Sequence, residues 1–313
     1  MWQAATFDPQ TIARELGWAA GLGMNVVRVY LHDLLWESDQ EGFLARVDAV
    51  LELADGCGIK VLPVLLDGVW HPAPALGAQP APRPRRHNSI WVQSPGHAVL
   101  QAAETWPRLQ AYVQGVIRHF AADERVVAWD LFNEPDQLDA HTIAAGSRDA
   151  KATAATALLA QVFQWAREVD PSQPLTVGVW EYDADRYPVA NQMNQLALSH
   201  SDVISFHCYE PKLQLEQVID GLRTQGRPLL CTEWLARTAG STVDLLEIFA
   251  AHGVGAINWG LVDGRTQTRF PWSSWTESVP QHAPWFHELL HADGTAYDPD
   301  EVAVFRRLTR AER

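Results

Sequence analysis

The chain has 313 residues, 47% of them apolar, which is enough to build a sizeable buried core. Its formal net charge of −14, from 38 acidic and 24 basic residues, argues against nucleic acid or an anionic membrane surface as a partner. No run approaches the ~18 apolar residues of a membrane span, and the start, MWQAATFDPQ, lacks the regions of a signal peptide, so we expect neither feature and leave the cellular location open.

The predicted elements alternate between helices and short apolar strands. Asp8-Pro9 has the composition of a helix N-terminus, and Gly21 and Gly23 follow the end of this first helix. Strands are predicted, in chain order, at 24–31, 60–66, 126–136, 174–180, 202–209, 227–234 and 254–260. Apolar residues at helical spacing predict further helices at 42–58, 99–121, 148–169, 183–199, 215–222 and 241–252. After the last strand we expect a loop at 264–275 and then two short helices.

Apolar strands that alternate with amphipathic helices are typical of a parallel sheet covered by helices. The sequence provides seven such strands, whereas a closed barrel of this kind has eight. An open, doubly wound sheet is the alternative, but no glycine-rich phosphate loop supports it. We therefore predict an α/β fold, a (β/α)8 TIM barrel in one domain over 1–313, with the first strand missing because MWQAATFDP has no apolar run.

Proline and tryptophan are concentrated where a binding cleft would lie. The proline-rich segment 71–96 is longer than an ordinary connection and is interpreted as a lid or cleft wall. Of the 14 tryptophans, seven fall near predicted strand ends or in loops, namely Trp70, Trp91, Trp180, Trp234, Trp259, Trp272 and Trp275. An exposed indole offers a flat apolar face on which the C–H face of a sugar ring can stack.

Polar and aromatic residues follow the predicted strands, at the end where such barrels carry their chemistry. In strand order they are Arg28, His32 and Asp33; Asp67 and Trp70; Asn133 and Glu134; Trp180 and Glu181; His207, Tyr209 and Glu210; Glu233 and Trp234; and Asn258 and Trp259. Glu134 and Glu233 directly end apolar runs on opposite sides of the barrel, so their side chains can converge. Two facing carboxyl groups with different pKa values suit glycoside hydrolysis, and Arg28 could hold one as the anion. The alternative is two solvated turn glutamates.

Several motifs resemble those of a known enzyme family. WDLFNEP and LLCTEW resemble the Asn-Glu-Pro and nucleophile-strand motifs of clan A retaining glycoside hydrolases, and are most similar to those of family 5, the cellulase family. VVRVYLHD, ISFHCYEP and INWGLVDGRTQT match the second, sixth and eighth strands of that family in the same order. The resemblance covers nearly the whole chain.

The resemblance implies a catalytic pair and the residues around it. Glu134 would be the acid/base and Glu233 the nucleophile, with their carboxyl groups ~5–5.5 Å apart. Asn133 would contact the 2-hydroxyl of the substrate. Arg28 and Tyr209 would bond the nucleophile carboxylate.

The same resemblance implies further substrate-binding positions. His207 would lie near the acid/base or the sugar in subsite −1, and Trp259 would form the floor of that subsite. The Trp259–Gly260 peptide bond is expected to be cis. Trp180, Asp67 and His32 complete the set of substrate-binding candidates, and the mechanism requires neither a cofactor nor a metal.

One motif suggests a different chemistry. HELLH, residues 287–291, satisfies the H-E-x-x-H pattern of zinc proteases. It lies beyond the last predicted strand, and Tyr297 occupies the next ligand position of the extended pattern. We interpret it as a short packed tail helix with Phe286, Leu289 and Leu290 facing inward.

Three functions remain open from the sequence. The first is a retaining β-glycosidase acting on a plant-type oligo- or polysaccharide of the β-1,4-glucan, xylan or mannan class. The second is a carbohydrate-binding barrel without turnover, impaired by the missing strand. The third is a zinc hydrolase that uses HELLH. The expected partner is a carbohydrate; the sequence leaves open the sugar, endo or exo action, and the oligomeric state.

Overall fold

The computed structural model describes residues 1–137, 148–180 and 192–310. Its strands are β1 (Val26–Tyr30), β2 (Lys60–Asp67), β3 (Trp129–Asn133), β4 (Leu175–Thr176), β5 (Ile204–His207), β6 (Leu229–Glu233) and β7 (Gly255–Ala256). Its helices are α1 (Pro9–Gly21), α2 (Asp33–Ser38), α3 (Gln40–Gly56), α4 (His97–Leu100), α5 (Trp106–His119), α6 (Arg148–Val169), α7 (Gln192–His200), α8 (Lys212–Arg223), α9 (Leu246–His252) and α10 (Pro299–Arg310). Short 3-10 helices occur at Ala103–Thr105, Arg237–Ala239, Val243–Leu245 and Trp272–Trp275.

Local sequence explains where the first elements begin and why the strands are buried. The Asp8 carboxylate accepts hydrogen bonds from the amides of Gln10 and Thr11, both at 3.1 Å, and thereby caps α1 at Pro9. In β2 every residue after Lys60 is buried, because both faces of the strand are covered, as is usual in parallel sheets. The predicted apolar face of α8 is buried as well.

The strands pair in parallel, in the orders β1-β2-β3-β4 and β5-β6-β7. The two groups meet where Val179, just after β4, bridges Phe206 in β5. Since all strands run in the same direction, their C-terminal ends lie at one end of the sheet. The alternating α/β arrangement agrees with the prediction, and none of the described residues before α1 forms a strand.

The edges of β7 and β1 face a gap. Among the described residues, no backbone pairing joins these two strands. A cavity of about 720 Å³ lies between them instead, with Met24 and Phe305 near one end and Trp91 and Trp259 near the other. We call this cavity the β7/β1 groove.

Some predicted elements differ from the structure. The strands predicted at 174–180 and 254–260 are only two residues long, β4 and β7. Residues beyond them, such as Val179 and Ile257, still form backbone hydrogen bonds to the neighbouring strand. Part of the helix predicted at 183–199 lies outside the described residues, which begin again at 192 with α7.

The tail contains the predicted last helix, α10, but the HELLH segment is not helical. Leu290 instead bridges Val262 and Ala296. The apolar residues of this segment are buried as predicted, with Phe286, Leu289 and Leu290 at most 3% exposed.

No helix in the described part of the chain combines the length and the apolar character that crossing a membrane requires.

Candidate active site

Arg28 of β1 lies at the centre of a buried polar network. Its Nη1 atom donates to Glu233 Oε1 at 2.7 Å, and its Nη2 atom donates to Asn133 Oδ1 at 2.8 Å. Its Nε atom donates to Asp130 Oδ2 at 2.9 Å. The side chains of Arg28 and Asp130 are 2% and 0% exposed, so this guanidinium ties together three strands, β1, β3 and β6, in a medium where ion pairs are weakly screened.

Glu233, the last residue of β6, is held through both carboxylate oxygens. The hydroxyl of Tyr30 donates to Oε1 at 2.8 Å, and the hydroxyl of Tyr209 donates to Oε2 at 2.7 Å. Burial by itself would raise the pKa of Glu233, but the charges of His207 and Arg28 and the two phenol hydrogen bonds hold this pKa below its usual range. The arrangement therefore favours the carboxylate anion.

Glu134 follows β3 and has the opposite electrostatic setting. Its backbone φ angle is 39°, a left-handed conformation that is uncommon outside glycine. Burial and the negative charge of Glu233 raise the pKa of Glu134, against a smaller lowering by His207 and Arg28. Its Oε1 atom lies 2.8 Å from His207 Nδ1. The arrangement favours a protonated carboxyl group. The Glu134 side chain is 12% exposed, so this group is still accessible from the cleft.

Donor atoms of Glu134, His207 and Glu233 all lie within 4.8 Å of one another. His207 Nδ1 is 3.7 Å from Glu233 Oε2, so the imidazole stands between the two carboxyl groups. Such a set could in principle hold a divalent cation. The Arg28 guanidinium and two phenols already contact both oxygens of Glu233, and this occupation favours an acid/base pair over a metal centre.

Asp67, at the end of β2, supports the neighbouring strand end. Its Oδ1 atom accepts from Asn133 Nδ2 at 2.9 Å, and its Oδ2 atom accepts from Trp91 Nε1 at 2.5 Å. Burial raises the pKa of Asp67 to about 7, although these two hydrogen bonds act in the opposite direction. Asp67 is 3% exposed, and its two hydrogen bonds fix the orientation of the Asn133 and Trp91 side chains.

Three aromatic rings pack edge to face beside the network. The ring centroid of Tyr30 lies 4.9 Å from that of Trp91 and 5.7 Å from that of Trp259, and the last two are 5.6 Å apart. Trp91 belongs to the proline-rich segment 71–96, whose residues bridge Asp67 and His71. The segment therefore contributes an aromatic wall beside Trp259, in keeping with its interpretation as a cleft wall.

The structure brings most of the predicted residues together. One hydrogen-bonded network contains Arg28, Asn133, Asp67, Tyr209 and Glu233. The hydrogen-bonded pair of Glu134 and His207 lies against this network, with His207 Nδ1 3.7 Å from Glu233 Oε2, and Trp259 packs against Tyr30. Trp180 lies at its border, where its Nε1 atom donates to Asp136 at 2.8 Å. Glu181 lies outside the described residues.

His32 takes part in local structure instead. Its Nδ1 atom accepts from the amide of Leu34 at 3.3 Å and caps α2, a helix that the sequence did not predict. The adjacent Asp33 binds Ser94 at 2.7 Å and Arg108 at 2.8 Å. The role of His32 in substrate binding stays a prediction.

The expectation of a cis Trp259–Gly260 bond is wrong. The cis peptide bond found in the described residues is Ser94–Pro95. Gly260 adopts a φ angle of 82°, which turns the chain after Trp259 without a cis bond.

The HELLH segment does not provide the geometry of a zinc site. On a helix, two histidines four residues apart lie one turn apart on the same face, and this segment forms no helix. The His287 ring is fully buried, with Nδ1 against the carbonyl of Leu235, and burial lowers the pKa of His287 well below its usual value. His291 packs against Trp285 instead.

Sequence reasoning missed two members of the network, Tyr30 and Asp130. The sequence contains a sign of each. Tyr30 comes two residues after Arg28 and therefore lies on the same face of β1, and Asp130 is a charged residue inside an apolar run. A tyrosine in a strand is more often an ordinary core residue, so the pattern alone did not distinguish it.

Comparisons with known proteins agree with this geometry. The family model for cellulase, glycosyl hydrolase family 5, matches residues 10–264. The chain belongs to glycosyl hydrolase family 5. It is therefore a glycosidase, an enzyme that hydrolyses glycosidic bonds. No curated protein sequence matches the chain.

Solved structures share the fold of this family 5 glycosidase at low identity. GH5_18 from Streptomyces cattleya in complex with GlcNAc is 15% identical with a TM-score of 0.65, covering 99% of this chain and 77% of that one. The endo-1,4-beta-mannanase from Rhizomucor miehei is 14% identical with a TM-score of 0.64, covering 99% and 92%. An endo-beta-1,4-mannanase from Thermotoga petrophila is 16% identical with a TM-score of 0.61, covering 97% and 73%. These similarities confirm the predicted TIM-barrel fold.

Proposed function

We propose that the protein is a retaining β-glycosidase that acts by double displacement on an oligo- or polysaccharide of the β-1,4-glucan, xylan or mannan class. The observation that carries the proposal is the pairing of Glu134 and Glu233, whose pKa values are displaced in opposite directions while their oxygens lie within 4.8 Å. Carboxyl groups this close suit a covalent intermediate, because an inverting enzyme needs a wider gap of roughly 6.5–9.5 Å for a water molecule.

In the first step, a Glu233 oxygen attacks the anomeric carbon while Glu134 donates its proton to the departing glycosidic oxygen. This forms a glycosyl ester on Glu233 and releases the leaving sugar. The anionic state of Glu233 and the protonated state of Glu134 are the states that this step requires. Arg28 and the two phenols orient the attacking carboxylate.

In the second step, Glu134 acts as a base and takes a proton from water. The water oxygen attacks the anomeric carbon, and Glu233 leaves as the carboxylate. The Nδ1 atom of His207 lies 2.8 Å from Glu134, so its hydrogen bond can stabilise Glu134 when this residue becomes a carboxylate. Asn133 is poised beside both carboxyl groups to contact the 2-hydroxyl, since its Nδ2 atom carries a second N–H group besides the one given to Asp67.

The substrate class rests on the cleft and on the similar structures. Trp91 and Trp259 supply aromatic faces next to the carboxyl pair, and Trp70 stacks on Trp275 at 6.0 Å further along. Similar structures include endo-1,4-beta-mannanases and a GH5_18 variant in complex with Manb1-4GlcNAc. Aromatic faces of this kind can stack on the C–H faces of β-1,4-linked sugars. In this proposal residues 1–313 act as one catalytic domain.

A 2-deoxy-2-fluoro-β-glycoside with a dinitrophenyl leaving group tests the mechanism. We expect time-dependent inactivation and a mass increase of one glycosyl unit on the peptide that contains Glu233. Proton NMR of the first product is expected to show the β-anomer. An α-anomer as first product would contradict retention, and a label on another residue would contradict the assignment of the nucleophile.

A carbohydrate-binding barrel without turnover is the second candidate. The β7/β1 groove favours it because, in the described residues, no backbone hydrogen bond joins β7 to β1 beside the candidate active site. The two functions separate on glucan, xylan and mannan oligosaccharides. Turnover by the wild type that is lost in Glu233→Ala supports the enzyme. Equal binding by both proteins, with no turnover by either, supports the binding barrel.

A further inference from the structure

Tyr30 lies directly beside Glu233, the proposed nucleophile, although no motif of the sequence assigned it a role. Side chains alternate between the faces of a strand, so Arg28 and Tyr30 of β1 share a face. The Tyr30 hydroxyl accepts a hydrogen bond from Arg28 Nη1 at 2.5 Å and donates one to Glu233 Oε1 at 2.8 Å. It therefore connects the cation and the carboxylate of the same buried ion pair.

The two oxygens of Glu233 are held differently. Oε1 accepts from Arg28 at 2.7 Å and from Tyr30, whereas Oε2 accepts from Tyr209. Oε2 is also the oxygen that faces His207 Nδ1, at 3.7 Å, and this imidazole in turn contacts Glu134. The more weakly held oxygen thus lies on the side of the acid/base, where a glycosidic bond would be cleaved.

The ring of Tyr30 has little freedom to move. It packs between Trp91 and Trp259, and the Arg28 Cζ atom lies 4.9 Å from its centroid. The carbonyl of Tyr30 accepts from Trp2 Nε1, which holds the backbone at the end of β1. Burial, with the nearby carboxylates, raises the pKa of Tyr30 well above 10, so the phenol remains a proton donor throughout the working range of a glycosidase.

We propose that Tyr30 is a positioning residue for the nucleophile: together with Arg28 it fixes Oε1, and it thereby leaves Oε2 as the oxygen that bonds to the anomeric carbon. This inference rests on the proposed retaining mechanism. In the glycosyl ester, Oε1 is the carbonyl oxygen and Oε2 the bridging oxygen.

The two chemical steps use Tyr30 unequally. When the ester is cleaved, the bond from Oε2 to the anomeric carbon breaks, its electron pair returns to the carboxylate, the water oxygen bonds to carbon, and the water proton moves to Glu134. Negative charge then grows on Glu233, and the Tyr30 hydrogen bond to Oε1 strengthens with it. When the ester forms, the negative charge on Glu233 declines. Loss of the Tyr30 hydrogen bond makes the Glu233 carboxylate more basic and hence more nucleophilic, which offsets part of the rate lost through its poorer orientation.

Tyr30→Phe keeps the ring and removes only the hydroxyl. With a dinitrophenyl β-glycoside we expect kcat to fall about 10- to 100-fold, the scale of a hydrogen bond to a charged group, and KM to fall with it because the glycosyl-enzyme accumulates. A pre-steady-state burst of dinitrophenol is expected. The acid limb of kcat/KM is expected to move up by about one pH unit, since the anion loses a donor.

Two matched variants separate positioning from general damage. Tyr209→Phe removes the phenol from Oε2 and is expected to lower kcat/KM itself, because it disturbs the attacking oxygen. Tyr112→Phe removes a buried hydroxyl that donates to the carbonyl of Leu65 at 2.9 Å and keeps the ring in the core. It is expected to lower the melting temperature while leaving the acid limb unchanged.

A titration without turnover keeps the test decisive. In protein labelled with ¹³C at glutamate carboxyl carbons, with the Glu233 signal assigned from Glu233→Gln, Tyr30→Phe is expected to raise the titration midpoint of Glu233. If the wild type cleaves no aryl glycoside, the proposed function fails, and this midpoint still decides the role of Tyr30. A Tyr30→Phe protein whose Glu233 midpoint and acid limb match those of Tyr112→Phe overturns the inference.

Discussion

The two places where β1–β4 and β5–β7 come together are held in different ways. At the β4/β5 junction, the amide of Val179 donates to Ser205 at 2.9 Å, and the amide of His207 donates to Val179 at 3.0 Å. At the β7/β1 junction, no backbone bond joins the strands in the described residues, and the β7/β1 groove of about 720 Å³ separates them. One junction is held by the backbone, and the other is spanned by side chains.

Those side chains belong to the candidate active site. Arg28 and Tyr30 of β1 reach past the position of β7 to Glu233 of β6, at 2.7 and 2.8 Å. Charge-assisted hydrogen bonds are about twice as strong as neutral ones, so the network can hold the two sheets together where the ladder is interrupted. Residues of the candidate active site therefore also stabilise this junction, and their substitution is expected to affect activity and stability together.

The largest effect is expected from removing the cation. Arg28→Leu leaves Asp130 and Glu233 buried without the cation that pairs with both, which is expected to lower the free energy of unfolding by about 3–5 kcal/mol and to abolish measurable turnover. Urea denaturation and aryl-glycoside assays measure both.

Arg125→Leu is the matched control for that variant. Arg125 pairs with Asp48 and Asp123 on the surface, with 27% of its side chain exposed, and such pairs contribute only about 0–1 kcal/mol. Equal losses of unfolding free energy in the two variants would show that the β7/β1 junction does not depend on the candidate active site.

A smaller effect is expected at the β4/β5 junction. The Thr176 hydroxyl donates to the carbonyl of Val203 at 2.7 Å and lies 2.7 Å from the hydroxyl of Ser205. Thr176→Val keeps the shape and leaves these partners unsatisfied, at a cost of about 1–3 kcal/mol in the free energy of unfolding. Thr156→Val, on α6, is expected to cost little. Loss of activity in excess of the lost stability would show that this junction also orients the site.

A third test measures how stability depends on pH through Glu288, a buried carboxyl group beside the β7/β1 groove. Thr268 lines the groove and bonds Glu288, whose pKa burial raises to about 7. In the unfolded chain the pKa of a glutamate is about 4.3. Between this pH and about pH 7 the folded protein keeps a proton on Glu288 that the unfolded chain has released, so the free energy of unfolding falls as pH rises. Glu288→Gln is expected to flatten this slope in urea melts at pH 4.5 to 7. An unchanged slope would contradict the assignment to Glu288.

The smallest effect sharpens the comparison at single amides. The backbone amide of Leu31 donates to the carbonyl of Val64 in β2. Because backbone amides alternate between the two sides of a strand, those of Val27 and Val29 also point to β2, whereas that of Arg28 points to the groove. By the same alternation, the amide of Ile257, which donates to the carbonyl of Cys231, points to β6, and the amide of Ala256 points to the groove. Amides on the groove side are expected to exchange at least about 10-fold faster in NMR hydrogen exchange. Equal protection on both sides would mean that the junction is closed in solution.

The sequence was informative wherever structure is local. Strand ends and the residues that follow them could be predicted from apolar runs and their terminators, and this was enough to bring Glu134, Glu233 and Arg28 to one place. Long-range contacts were not predictable. The HELLH segment has a helical pattern, but Gly260 approaches His287 so closely that a Cβ atom would lie 2.9 Å from the His287 Cβ. Tertiary packing therefore decides the conformation of this segment.

The same limit explains the missed residues. Tyr30 and Asp130 act through partners on other strands, 203 residues away for Tyr30 and Glu233. Nothing in a period-two pattern distinguishes a tyrosine that bonds a carboxylate from one that only packs.

Gly68, the residue after β2, restricts how this enzyme can be redesigned. A Cβ atom there would lie 2.2 Å from the carbonyl oxygen of Glu134, and Lys151 Nζ donates to the Gly68 carbonyl at 2.7 Å from below. Libraries that broaden the range of accepted sugars by randomising the segment after β2 should therefore keep position 68 fixed. Any side chain there would push away the backbone of Glu134 in the candidate active site, and the variants are expected to lose turnover before a change in selectivity can be measured.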